Sequence, residues 1–172
     1  MLDSLKQIVG AQFEAAFCTL QECVARCPAA SWNAPVGNNP FCQVVFHALF
    51  FADYYLERSE DSFLEQAFHR ENAAFFGDYE QLEDREPRSL YDRTSIEKYL
   101  SFCRDKAAAV IAAETEESLR GPSGFARRKI SRGELHLVNI RHLQHHAAQL
   151  SLRLRIDAGV EVPWVESGWR AV

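Results

Sequence analysis

A chain of 172 residues, 47% hydrophobic and 25% charged, has the size of one domain and can bury a core without disulfide or metal staples. Eight glycines and six prolines exclude collagen-like and disordered classes and favour helix. The net charge of -5 argues against a broad phosphate-binding surface, which needs clustered Lys and Arg, so no nucleic-acid partner is expected.

Apolar residues at Leu5, Ile8, Val9, Phe13, Phe17, Leu20 and Val24 recur at three- and four-residue steps, and predict an amphipathic helix from Asp3 to about Arg26. Asp3 and Lys6 interrupt the apolar run at the start, which lacks the continuous core of a signal peptide. No 18-residue stretch is uninterruptedly apolar, so no membrane span is expected and cytoplasm is the default.

After the breaker "CPAASWNAPVGNNP", Asn39 before Pro40 is a helix-start signal, an N-cap with proline at the first helical position. The second helix, "PFCQVVFHALFFADYYLER", is apolar almost all round and should be packed on several sides to about Arg58. Residues 59–93 are mixed and charged, and read as a long crossover with one short helix in "DSFLEQAF".

"TSIE", Thr94 to Glu97, has the form of a capping box and opens a third helix to about Leu119. "GPSG" stops it. The basic run "ARRKISR", Ala126 to Arg132, lies beside that turn without interleaved aromatics and reads as a solvated loop. "SRGE" from Ser131 is another capping box, opening a fourth helix to about Asp157. Four long helices with one long connection describe an all-α four-helix bundle. The tail, residues 158–172, is too short for a domain and should pack back over it, within a single domain spanning 1–172.

Five cysteines, an odd number without a Cys-x-x-Cys pair, fit reduced cytosolic thiols. Cys23 and Cys27 share a helix, four apart, but with no further ligand nearby they read as partly buried helix cysteines.

The segment "NIRHLQHHAAQL" places His142, His145 and His146 in an apolar helix. At about 100° per residue, His142 and His146 lie roughly 40° apart on one face, and His145 points roughly 60° the other way. On helix two, His47 shares a stripe with Gln43, Phe51, Tyr54 and Arg58. An i, i+4 histidine pair and a third histidine from a facing helix would give three nitrogen ligands and leave coordination positions open. Spacing alone fits equally a set of packed, hydrogen-bonded or exposed histidines. His69 and His136 have no evident partners and read as structural or exposed.

"FHALFFADYYL" and "HLVNIRHLQHHAAQL" resemble the two signature segments of the DinB/YfiT-like superfamily of metal-dependent proteins in order, separation and helical setting. The resemblance implies a four-helix bundle with a long crossover between helices two and three, often a homodimer. It also implies a divalent ion, zinc or nickel, on His47, His142 and His146. Relatives include thiol-dependent enzymes, so it implies a thiol-dependent S-transferase or hydrolase, with a small molecule or low-molecular-weight thiol as substrate; the alternative is a non-catalytic bundle whose metal is structural. Tyr54 and Gln149 are the candidates to orient a metal-bound group. Where Arg-Gly often follows the paired histidines, this chain has Ala147 and Ala148, which departs from the pattern. Homodimerisation is expected from the likeness and because an all-round apolar helix two needs cover. Neutral imidazoles bind the metal, and an unperturbed histidine takes up a proton near pH ~6.5, so metal-linked stability should be present above that pH and lost as pH falls through it.

Overall fold

The computed structural model describes residues 1–168 and is mostly helical. Helix α1 spans Leu2–Arg26 and buries Val9, Phe13, Phe17, Leu20 and Val24, while Leu5 and Ile8 of the same predicted stripe stay exposed. Two-residue strands β1 (Pro35–Val36) and β2 (Asn39–Pro40) pair antiparallel and lead into α2, Phe41–Leu56. The helix thus starts one residue later than Asn39-Pro40 suggests. Pro40 is the extended N-cap without a side-chain cap. The amides of Phe41 and Cys42 donate instead to the carbonyls of Ala34 and Trp32, at 2.9 and 3.0 Å, so the preceding turn satisfies the free helix end.

The connection that follows is more helical than its polarity suggests: α3 (Glu60–Leu64), α4 (Ala67–Glu71) and α5 (Ala73–Phe76) precede a 3-10 turn at Glu80–Leu82. Ser59 opens it with a reciprocal capping box to Ser62. Phe63, Phe76 and His69 are driven into the core, and these few anchors order a segment whose period is too short to read.

Helix α6 runs Arg93–Ala113, with Asp92 as the N-cap accepting from the Ser95 amide at 2.9 Å. Thr94 therefore sits inside the first turn instead of capping it. The helix ends before Leu119: Glu114 is extended, and Thr115 caps a separate α7, Glu116–Arg120, through a box with Ser118. Ser131 caps α8, Arg132–Ala158, by accepting from the Glu134 amide at 3.1 Å. Gly159 ends it in the left-handed conformation, φ 63°, which glycine adopts without steric cost.

The four long helices share one core. Helices α1 and α2 each pack on both α6 and α8. Contacts fix the directions: Lys6 donates to the Glu114 carbonyl and Arg93 to that of Val24, so α6 runs opposite to α1. Cys23 Sγ donates to the Ala147 carbonyl, near the middle of α8, while α1 starts beside the α8 start at Gly133–Leu137. In α2, all residues but His47, Phe51 and Tyr54 are buried. The same chain covers it, so its all-round apolarity by itself does not call for a second copy. Beyond α8, Val160 and Val162 pack against the core and Gln12 donates to the Glu166 carbonyl at 3.4 Å; residues 169–172 of the tail lie outside the described residues. Among the described residues, no helix is long and apolar enough to cross a membrane.

Candidate metal centre

His47 faces outward from the middle of α2, and His142 and His146 face it from successive turns of α8. The register between these helices is held nearby: Asn139, fully buried one turn before His142, donates from Nδ2 to the Ala52 carbonyl at 2.9 Å. The result brings three Nε2 atoms together. His142 Nε2 lies 3.3 Å from His47 Nε2 and 3.1 Å from His146 Nε2, and one ligand atom from each histidine lies within 4.8 Å of the others.

The Nδ1 atoms are turned away and two are fixed. His47 Nδ1 meets Gln81 Oε1 at 2.7 Å, and His146 Nδ1 meets Gln149 Oε1 at 2.9 Å. A carbonyl oxygen accepts only, so these contacts place the protons on Nδ1 and leave both Nε2 atoms as bare lone pairs. His142 can then put at most one proton between them. At least one of the two short Nε2 contacts is lone pair against lone pair, an arrangement that a cation between them relieves. A tetrahedral ion with N–metal bonds of about 2.0–2.1 Å spaces its nitrogens about 3.3–3.4 Å apart, close to the two separations from His142.

Electrostatics agree with neutral imidazoles. Burial, reinforced by the neighbouring imidazoles, pushes His142 down to about 3 and His146 down to about 4. Burial also lowers His47, against the opposing effect of the hydrogen bond that its Nδ1 donates to Gln81. The ring faces of Phe51 border the site, 4.9 Å from His47 and 5.6 Å from His142 between centroids, and supply the apolar wall. This arrangement is compatible with a divalent metal ion bound by three nitrogens.

The remaining sequence candidates sort by place. His145 is exposed and receives Gln149 Nε2 at 3.1 Å. Gln149 is therefore beside the triad, whereas the Tyr54 hydroxyl donates to Glu60 Oε2 at 3.3 Å and does not reach it. Ala147 is buried under α1. Cys23 and Cys27 are buried, and burial raises their thiols to about 12 and about 11, which suits packing and not thiolate chemistry.

Gln81 was hidden in the polar crossover, where no local signal ties it to a histidine 34 positions away. Two buried clusters were equally hidden. His69 Nε2 meets Asp53 Oδ2 at 2.7 Å, and Tyr99 donates to the same oxygen at 2.8 Å while Lys106 holds the other. Arg132, at the end of the run expected to be solvated, is 2% exposed. It donates to Glu114 Oε1 at 3.0 Å and to the carbonyls of Tyr55, Leu56 and Glu57 at the α2 terminus. His136 Nε2 lies 3.0 Å from the same Glu114 oxygen. So His69 and His136 do have partners, and both are carboxylates.

Compared with known families, residues 12–150 match the family model of the DinB superfamily. No curated protein and no solved structure matches the chain.

Proposed function

We propose, from the premise that this chain belongs to the DinB superfamily, that it is a metal-dependent enzyme whose divalent ion, zinc or nickel, is held by His47, His142 and His146. The four long helices are then the DinB-type bundle, with residues 59–92 as its crossover. The observation that carries the proposal is the convergence of three Nε2 atoms, two of them left as lone pairs because Nδ1–H of the same ring donates to the carbonyl of Gln81 or Gln149. Held there by His47, His142 and His146, a divalent ion would lower the pKa of a ligated water or thiol and so would supply a nucleophile near neutral pH.

The chain's own residues set the conditions. Gln81 and Gln149 fix the tautomer and aim of two imidazoles, and Phe51 excludes water from one side. Three protein ligands leave further coordination positions to a substrate, so a thiol-dependent S-transferase or a hydrolase fits better than a closed structural site. The cytoplasmic location belongs to the same proposal and suits an odd number of cysteines without a Cys-x-x-Cys pair. Exposed Leu5 and Leu137, which line one groove between the starts of α1 and α8, support the homodimer of the same proposal.

The test is cobalt-substituted protein. Azide or ethanethiol should change its visible spectrum through the open positions. A spectrum indifferent to both marks a closed site and leaves the metal only the role of fastening α2 to α8.

A further inference from the structure

A cavity of about 290 Å³ opens beside the triad, and His47 and His146 form part of its wall. Asn39, Gln43, Gln81 and Gln149 line the rest together with apolar residues, and no charged side chain among the described residues borders it. Gln43 is 2% exposed, yet its Oε1 accepts no hydrogen bond. Gln81 spends its Oε1 on His47 and leaves a buried Nε2 without an acceptor. Buried amide groups in folded proteins are nearly all paired, so two unpaired ones at a single cavity next to a reactive centre ask for a partner.

Their positions narrow what that partner is. Gln43 lies one helical turn before His47 on the same face of α2, and Gln81 comes from the crossover. One residue carries an unpaired acceptor and the other an unpaired donor, both enclosed in the cavity wall, so a ligand meets them where the carboxamides turn towards the cavity. No side chain at the Gln43 and Gln81 end offers a counter-charge, so an ionic group seated there would lose its hydration unpaired, and the charge of a bound metal acts only on the end of the ligand that reaches it.

We propose that this cavity is a subsite for an uncharged, amide-bearing small molecule, its N–H donating to Gln43 Oε1 and its carbonyl accepting from Gln81 Nε2, while another group of the ligand reaches the metal centre. This deepens the metal-enzyme proposal above and rests on it for the second anchor. A polar pocket with fixed donor and acceptor rejects an analogue that leaves one of them unpaired.

Three thiols test it on cobalt-substituted protein: N-acetylcysteamine, 2-mercaptoethyl acetate, which replaces the amide N–H with an ester oxygen, and ethanethiol. N-acetylcysteamine should shift the visible spectrum at a concentration about tenfold lower than the other two, the worth of one good hydrogen bond. In Gln43→Leu, checked for metal content, the amide should lose its advantage over the ester. Equal half-saturation by all three thiols in the unmodified protein overturns the subsite and leaves the metal proposal standing. If no thiol moves the spectrum, the open metal position falls instead. The subsite is then judged alone by saturation-transfer NMR with N-methylacetamide: a signal lost in Gln43→Leu sustains it, and no signal in either protein overturns it.

Discussion

His69 and His136 each face a carboxylate, whereas His47, His142 and His146 face one another. In the first pair the imidazole is part of a closed account of charges: Asp53 is held by His69, Lys106 and Tyr99, and Glu114 by Arg132, His136 and Ser118. Burial alone would raise both acids, but these partners outweigh it, keeping Asp53 below the ordinary range and Glu114 down at about 2. Among the described residues no anion pairs with the triad, and the groups on the far nitrogens of His47 and His146 are neutral carboxamides. In this chain the two acid-facing imidazoles spend their Nε2 atoms on carboxylates, whereas the triad turns its Nε2 atoms to one another with no carboxylate on them.

The hardest test of that contrast is metal content. His47→Ala, His142→Ala and His146→Ala should each abolish stoichiometric metal by elemental analysis. His145→Ala should leave it nearly intact, and so should His69→Ala in protein that remains folded. Full loading of His146→Ala alongside loss in His145→Ala would reverse the assignment of the doubled histidine.

Stability should divide the two regions the other way. Arg132→Met leaves the buried Glu114 carboxylate and three α2 carbonyls short of their donor, a break worth about 3–5 kcal/mol, measured as a lower urea midpoint. The metal content of the folded fraction should not change. A loss below about 1 kcal/mol would show that water replaces the guanidinium, and that the cluster is less closed than it looks.

Smaller in effect is Gln149→Leu, which removes the acceptor from His146 Nδ1. Metal affinity should weaken about 10- to 100-fold with the fold unchanged, as read by competition with a chromophoric chelator. An unaltered affinity would remove Gln149 from the centre.

The gentlest discrimination is by pH, and here burial corrects the expectation from an unperturbed histidine. His136 falls from an ordinary 6.5 to about 4, through burial and then the nearby Arg132 charge. The unfolded chain takes up that proton below 6.5 and the native one does not, so stability is full above 6.5 and declines as pH falls towards 4. Glu114, lowered from 4.5 to about 2, extends the decline through that lower window. In the folded triad protons compete poorly, because His146 sits at about 4 and His142 at about 3. The gap between metal-loaded and metal-free melting temperatures should therefore persist below 6.5 and close only near 4. Closure already at 6.5 would mean that the imidazoles are solvated.

The helix-forming pattern and the histidine pair were open in the residues themselves. Periodicity located α1, α2, α6 and α8 to within a few residues, except that Glu114 turns inward and splits the expected third helix. The i, i+4 spacing put His142 and His146 on one face because a helix is a rigid local ruler. What the ruler cannot measure is distance between elements. That His47 meets this pair, that Gln81 crosses from another segment to hold it, and that Arg132 leaves a basic loop to tie the α2 terminus were decided by packing. Those contacts join residues tens of positions apart, and their strength comes from shared burial, where an unpaired polar atom costs more than in water.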